Sequence, residues 1–579
     1  MFPNEQKTQS NPLSPKFEGF FLEMVMPRLE GRCSELVKNI LGDDWNVKPI
    51  GDNLTEFEIT LNDDALSVKE AWDKTYELRS QPGVIDVEPL FAVPLPELTS
   101  WDVSIPDLGD FFDNQIERES EDVNWCLKQL RVFEVWKKYF PDPNKLPGHG
   151  IVVAHPDTGY TNHPEIIDNL LLEKSYDFIE KDNNATDELE RPFGQLINNP
   201  GHGTSTASVI VSNQGKEANY SNQKYVTGVA PGAKVLPLRV SYSVVLLSVR
   251  NLAQSIEYAA DNGAHVVTIS MGTAFHNQRL RSAIIYAQKR GMIIVAASGT
   301  LIPYVVFPAA YDEVIAVTGS DIRREVWWGA SRGKQVDVTA PGHLVWYAKS
   351  DRKDKGVEHR IEQGSGTSFS APFVAGVAAL WLSYHGRDKL VERYGAEKIP
   401  FIFNELLRDT CDKFPTWKPN RFGSGIVNAE KLLAAPLPDN VNGSVVSPAL
   451  ALQQHSSLDS GRLDAFMHLF ESQLSDTQPG EFASPDAFLN SNLAELLQTF
   501  SSELPNKLKE VGQELAFDFA VNPDLYKQFT ELLHSNKPSP TGQSEGRKKG
   551  EPDNKKPIRE TLKKKGISDI LFNKLFNWG

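Results

Sequence analysis

Cysteine is scarce in this sequence: three residues, Cys33, Cys126 and Cys411, among 579. An odd, widely spaced set builds neither a disulfide framework nor a CxxC metal motif, and it fits a reducing compartment. Long apolar runs are missing too. The longest, such as Phe373–Leu382, stop well short of the roughly 18 residues that cross a bilayer, so no transmembrane segment is expected. The opening stretch MFPNEQKTQSNPLSPKFEG has no basic region followed by an apolar one; no secretory signal is read there, and the expected location is cytoplasmic. Positive charge is in deficit, with 60 Lys and Arg against 76 Asp and Glu and a net charge of −16, which argues against a general nucleic-acid binder. No HExxH, phosphate-loop or dinucleotide fingerprint occurs.

What remains is a globular composition, 40% hydrophobic and 23% charged, long enough for two to four domains. Residues 1–16 read as a polar tail. Over 17–95 the pattern is strand, helix, two strands, helix, strand, with Ser67 as N-cap of the second helix; β-α-β-β-α-β is a ferredoxin-like α+β unit. Residues 96–123 form an acidic, proline-containing linker. From 124 to 435, short apolar runs (GIVVAHP, KVLPLRV, AHVVTIS, GMIIVAAS, EVIAVTG) alternate with helical stretches, the signature of a parallel α/β sheet covered by helices on both faces. A second linker covers 436–462. Helix-spaced apolar residues, among them Leu463, Phe466, Met467 and Phe470, predict a helical module over 463–535. A basic tail with a terminal helix occupies 536–579, and from Glu545 onward its net charge is +5.

Three segments carry chemistry. IVVAHPDTGYTNHPE ends an apolar strand on Asp157 and a Thr-Gly turn, where open parallel sheets gather functional residues. NNPGHGTSTASVI sets His202 between two glycines at the head of a helical stretch. GSGTSFSAPFVAGVAALWLSYHG delivers Ser368 to the start of an apolar helix that stops near Gly386. Singly, Asp157 is a turn residue, His202 an ordinary histidine and Ser368 an N-cap. Together they supply a hydroxyl nucleophile, an imidazole base and a carboxylate to orient the imidazole, in the order Asp–His–Ser.

These segments resemble the subtilisin-like serine proteases. The motifs are Asp157-Thr158-Gly159, His202-Gly203-Thr204 and Gly366-Thr367-Ser368 with Pro372, and GVAPGAKVLPLRV, VVTISMG and VDVTAPG are also similar to family segments. The resemblance implies a polypeptide substrate, with Ser368 attacking a peptide carbonyl, His202 moving the proton and Asp157 holding the imidazole. It implies substrate-binding strands at Ser270-Met271-Gly272 and Ala297-Ser298-Gly299, where glycine allows a substrate strand to pair with backbone. It also implies an oxyanion hole built from the Ser368 backbone N–H and the residue after Gly299. The family places asparagine there; this sequence has Thr300. Calcium stabilises many members, but no calcium-loop pattern is present, so no cofactor is assigned.

The unit 17–95 resembles the family's inhibitory propeptide domain, with QPGVIDVEPLFAVP as the strand leading toward the cleft, so the chain's own N-terminal domain is a candidate inhibitor. Two other readings stay open: a weakened or inactive protease fold that binds peptides or a partner, motivated by Thr300, and a peptide ligase or cyclase using the same acyl-enzyme. The C-terminal run KKPIRETLKKKGISDILFNKLFNWG reads either as an amphipathic helix for a membrane surface or partner, or as a helix docking on its own acidic chain.

Overall fold

The computed structural model describes residues 16–92, 121–439, Glu514, Asp518 and 567–576, apart from 25–29, 43, 51–52, 62–65, 190–198, 214–223, 247, 274–275, 303 and 354–355. The expected linkers, except for a few residues at their edges, and most of the expected 463–535 module lie outside the described residues. The chain divides into two compact units: Met1–Trp101 with Phe193–Leu196 and Ser456–Gly579, and Asp102–Pro192 with Ile197–His455.

The first unit contains β1 (Lys16–Met24), α1 (Glu30–Leu41), β2 (Trp45–Ile50), β3 (Asn53–Leu61), α2 (Val68–Arg79) and β4 (Val84–Ala92), the element order expected from the sequence. Its antiparallel sheet runs β2-β3-β1-β4. Alternate strand residues face one way, so Phe20, Leu22, Phe57, Ile59, Val87 and Phe91 form one apolar face against Trp72 and Leu78 of α2. Ser67 caps α2 in both directions: its hydroxyl accepts the Glu70 N–H at 3.3 Å, and the Glu70 carboxylate accepts the Ser67 N–H at 2.9 Å. Such a box contributes about 1 kcal/mol.

The second unit opens with α3 (Trp125–Gln129) and α4 (Val132–Tyr139). It then builds a seven-stranded parallel sheet from β5 (Val152–Asp157), β6 (Tyr176–Asp177), β7 (Lys234–Arg239), β8 (Val266–Ile269), β9 (Ile293–Ala297), β10 (Ile315–Ser320) and β11 (Val338–Pro341). The order is β11-β10-β9-β8-β5-β7-β6. The apolar runs are continuous because both faces are buried. Val153, Val235, Val266, Ile293, Val295 and Val317 face one core; their neighbours Ala154, Leu236, Val267, Ile294, Ala296 and Ala316 face the other. The first core is covered by α5 (His202–Val211), and the second by α6 (Arg250–Asp261) and α7 (Gln278–Lys289). A hairpin of β12 (Val345–Lys353) and β13 (Gly356–Gly364), not foreseen from the sequence, precedes α8 (Thr367–His385).

α8 is apolar all round because it is enclosed: Ala371, Val374, Ala375, Val377, Ala378, Leu380 and Trp381 have no exposed surface. It ends at Gly386, as expected. In the first unit, α9 (Asp569–Phe576) follows the buried residues Ile567 and Ser568. The two described cysteines with placed side chains, Cys126 and Cys411, are buried free thiols, and burial pushes the Cys411 thiol up to about 12. No helix among the described residues is long and apolar enough to cross a membrane.

Gly376 is where α8 touches the chain at Val229: a Cβ there would stand 2.6 Å from the Val229 Cβ, a branched carbon with no freedom to retreat. Gly376→Ala is expected to lower unfolding free energy by about 1–3 kcal/mol despite alanine's better helix propensity, as measured by denaturant titration.

Candidate active site

β5 sits where the strand order turns. From it the chain goes to β6 and β7 on one side, then crosses to β8, β9, β10 and β11 on the other. In parallel sheets the crevice at such a switch point, beyond the carboxyl ends of the strands, is the usual ligand site. Asp157 is the last residue of β5; Ser270 follows β8; Ser298, Gly299 and Thr300 follow β9.

Asp157 has no exposed surface. Its Oδ1 accepts from His202 Nδ1 at 2.7 Å and from the Thr158 N–H at 2.8 Å, and its Oδ2 accepts from Thr206 Oγ1 at 3.3 Å. Burial alone would push the carboxyl up, but the charge and hydrogen bond of His202 outweigh it and hold the group below the usual range. A second buried imidazole, His155, bonds Thr206 Oγ1 at 2.9 Å, and burial lowers its pKa, so it sits beside the carboxylate as a neutral neighbour.

Two devices bring His202 to this carboxylate. Gly203 lets α5 approach the Asp157 turn: a Cβ there would stand 2.1 Å from the Gly159 carbonyl oxygen. Asp187, which the sequence reading missed, bridges the two loops. Its carboxylate accepts from Thr158 Oγ1 at 2.9 Å, the Gly201 N–H at 2.7 Å and the Leu189 N–H at 2.9 Å, while Thr158 Oγ1 in turn accepts the Gly203 N–H at 3.2 Å. Burial raises the Asp187 carboxyl nevertheless. Nothing in the local sequence around Asp187 signals that role. The unforeseen hairpin supports the same region, since Ser350 Oγ lies 2.7 Å from Thr161 Oγ1 and the Ala348 N–H donates to Ser208 of α5 at 3.0 Å.

Ser368 stands in the first turn of α8, half-buried. Its hydroxyl donates to the Ser270 carbonyl at 3.3 Å, and the Ser270 hydroxyl donates to the Ser368 carbonyl at 2.8 Å. The second bond has a cause in the sequence. Four residues after Ser368 stands Pro372, which has no N–H to give to that carbonyl. The orphan acceptor is satisfied from outside the helix, and the partner is the first residue of the expected substrate-binding strand.

The other expected substrate residues are mostly enclosed. Met271 and Ala297 are buried, Met271 in the apolar core with Val305 and Phe307 and Ala297 in the core on the opposite face. Ser298 pairs with Val317 and Val306 through its backbone. The Gly272 N–H donates to the Val244 carbonyl at 2.9 Å, and its carbonyl accepts the Leu246 N–H at 2.8 Å. Its backbone is therefore engaged by the chain itself. The Gly299 N–H donates to Thr367 Oγ1 at 3.2 Å. Thr300 lies against the start of α8: its hydroxyl accepts the Thr367 N–H at 3.0 Å and is 3.2 Å from Thr367 Oγ1. Asn199 is a brace for the His202 loop, accepting the His202 N–H at 3.1 Å through its carbonyl and the Val244 N–H at 3.1 Å through Oδ1. Among the described residues, no group of three or more His, Cys, Asp or Glu is arranged to hold a metal ion.

At the switch point of the parallel sheet a buried carboxylate is bonded to an imidazole, while the serine at the start of α8 is bonded to the residue after β8; the described hydrogen bonds do not join Ser368 to His202. Residues 148–425 match the model of the Subtilase family. Thermitase of Thermoactinomyces vulgaris is 32% identical over 245 residues, 42% of this chain and 77% of thermitase. A thermophilic serine proteinase of Bacillus sp. (strain AK1) is 32% identical over 252 residues, 43% of this chain and 56% of that protein. Among solved structures, fervidolysin of Fervidobacterium pennivorans, a keratinolytic enzyme related to subtilisin, superposes with a TM-score of 0.51 at 22% identity, covering 74% of this chain and 63% of that one; this is a likeness of fold. The chain belongs to the subtilase family, whose members are serine-type endopeptidases.

The Ser270–Ser368 bond yields a test by double-mutant cycle. Ser270→Ala is expected to cost about 1–2 kcal/mol of stability, because it leaves a half-buried carbonyl without a donor. With Pro372→Ala alongside, a helical N–H becomes available to that carbonyl, and the added cost of Ser270→Ala falls below about 1 kcal/mol. Equal costs in both backgrounds, read from denaturant unfolding, would refute this account.

Proposed function

We propose that the chain is a serine endopeptidase that hydrolyses peptide bonds through Asp157, His202 and Ser368, restrained by its own N-terminal domain. The observation that supports the reading is the 2.7 Å Asp157–His202 bond at the carboxyl end of β5. The Ser368 hydroxyl leaves the Ser270 carbonyl and gives its proton to His202 Nε2 as Oγ bonds the substrate carbonyl carbon. Asp157, held ionised by its neighbours, keeps the Nδ1 proton in place and stabilises the imidazolium. Collapse of the tetrahedral adduct breaks the C–N bond, and His202 returns the proton to the departing amine. Water, deprotonated by His202, then cleaves the acyl-enzyme, releasing the acid and restoring Ser368. Because the base must be neutral, activity falls in acid.

The oxyanion is held by the Ser368 N–H, one of the orphan donors of a helix first turn, and by Thr300. In this reading Thr367 Oγ1, which already accepts from Gly299, donates its hydrogen across the 3.2 Å contact to Thr300. Thr300 Oγ1 then accepts two bonds, one from the Thr367 N–H and one from its hydroxyl, and keeps its own hydrogen for the cleft. Threonine thereby supplies from a hydroxyl what the family supplies from an amide.

Two outcomes test the reading. A fluorophosphonate is expected to label Ser368, not at all in Ser368→Ala, and faster in a chain beginning at residue 123 than in the full chain. No labelling of either folded form would refute the nucleophile, and equal rates would refute the restraint. Thr300→Val is expected to lower kcat about 100-fold with little change in KM, whereas Thr300→Ser stays within a few fold. An unimpaired Thr300→Val would remove Thr300 from the oxyanion hole.

A further inference from the structure

The C-terminal residues described by the structure pack on the N-terminal domain. Ile567, Ser568 and Leu571 are buried, the last two without exposed surface. Ser568 meets a carboxylate, Glu514, that is also buried completely. Glu514 Oε1 accepts the Ser568 N–H at 2.7 Å, and its Oε2 accepts the Ser568 hydroxyl at 2.6 Å and the Tyr76 hydroxyl of α2 at 2.9 Å. Ser568 Oγ accepts the Leu571 N–H at 3.0 Å, opening α9. At the rim, the Asp569 N–H donates to Asp73 of α2 at 3.0 Å, and Lys69 of α2 reaches both Asp73 at 2.7 Å and Asp569 at 3.0 Å. One carboxylate thus joins three separate stretches of chain: α2, the segment at 514–518, and the segment at 567–571. The exposed ion pairs add little; the buried carboxylate, with its bonds to Tyr76 and Ser568, holds the junction.

We propose that this C-terminal segment is a latch: resting on the reading of residues 17–95 as a propeptide-like domain, which implies a cut in the linker 96–123, it keeps that domain bound to the rest of the molecule after the cut. Residues 514–576 are continuous with the second unit through the chain, while the N-terminal domain precedes the cut. Once the cut is made, the junction at Glu514 becomes a noncovalent tether. A tethered domain rebinds at the high local concentration its linker sets, often millimolar, instead of diffusing away.

The latch is pH-sensitive. Burial pushes the Glu514 carboxyl up to about 7, against the pull of its hydrogen bonds from Ser568 and Tyr76, and the negative charge of Asp73 adds to the rise. Asp518, buried and beside Glu514, is raised as well, by burial and by the Glu514 charge, and its Oδ2 has no hydrogen-bond partner among the described residues. Tyr76 is raised by burial and by Glu514 and stays protonated; Arg79 faces Tyr76 and opposes that rise. A carboxyl whose pKa is raised by docking holds its proton more tightly when docked. Docking is therefore strongest in acid, weakens as pH climbs from the ordinary 4.5 through about 7, and changes little above.

The proposal does not depend on proteolytic activity and is tested in full-length Ser368→Ala carrying a site-specific protease sequence near residue 107. After cutting, the N-terminal fragment is expected to co-elute with the remainder at pH 5. Its dissociation rate should rise at least about tenfold by pH 7.5, and this ratio should fall toward one in Glu514→Gln with Asp518→Asn. Leu571→Asp, Tyr76→Phe and removal of residues 567–579 should each speed release at pH 5. Tyr76→Phe guards against a folding defect, since it deletes one hydroxyl only. Immediate separation of the unmutated fragment at pH 5, or a release rate indifferent to removal of 567–579, would overturn the latch. A pH-independent rate would overturn the role of Glu514 and Asp518.

Discussion

A carboxylate with no exposed surface must be satisfied by whatever surrounds it, and much of the second unit answers that requirement at Asp157. An ionised group in such a place costs several kcal/mol unless hydrogen bonds and opposite charge compensate. The compensation comes from an imidazole, a backbone N–H and a hydroxyl, each on a different part of the chain. For the imidazole to arrive, α5 must lie against the Asp157 turn, and only glycine at position 203 permits that approach. For the loop before α5 to hold, Asp187 must tie it to Thr158. The sheet topology, the glycines and the second carboxylate are parts of one solution to one electrostatic problem.

The same economy of cause operates at α8. Proline at 372 withholds an amide hydrogen from the Ser368 carbonyl, and the vacancy is filled by Ser270. A residue that weakens the helix thus couples the serine's backbone to the segment that follows β8. The serine hydroxyl makes the complementary bond to the Ser270 carbonyl, which stores it in a defined position.

Much of the fold was legible in the sequence. The runs GIVVAHP, KVLPLRV, AHVVTIS, GMIIVAAS and EVIAVTG cover β5, β7, β8, β9 and β10 to within one residue, because strands buried on both faces leave an unbroken apolar signature. The split order of the N-terminal unit and the Ser67 cap were legible because turns and caps are chosen by local chemistry. The β12–β13 hairpin was not: its outer strand is half polar, with Glu358, His359, Arg360, Glu362 and Gln363 giving no apolar alternation to find. Asp187 was invisible for a different reason, since the two partners that make it a bridge, Gly201 and Thr158, lie 14 and 29 residues away. Gly272 was expected to face a substrate strand, yet its backbone bonds Val244 and Leu246, a tertiary pairing that spacing cannot show. For the C-terminal tail, the described residues dock on their own chain, Ser568 on the Glu514 carboxylate and Asp569 on Asp73 and Lys69.

The junction at Glu514 also has a timetable. Asp73 and Asp569, which touch at its rim, are 496 residues apart, and at about 5–20 residues per second a ribosome needs roughly 25 to 100 s to make that stretch. The apolar core of the N-terminal sheet is complete within the first hundred residues. During synthesis the N-terminal domain therefore exists for tens of seconds in an unlatched form, its α2 face open to other encounters. Whatever it contributes while the second unit emerges, it contributes in that form, and the latched form belongs to the molecule after translation.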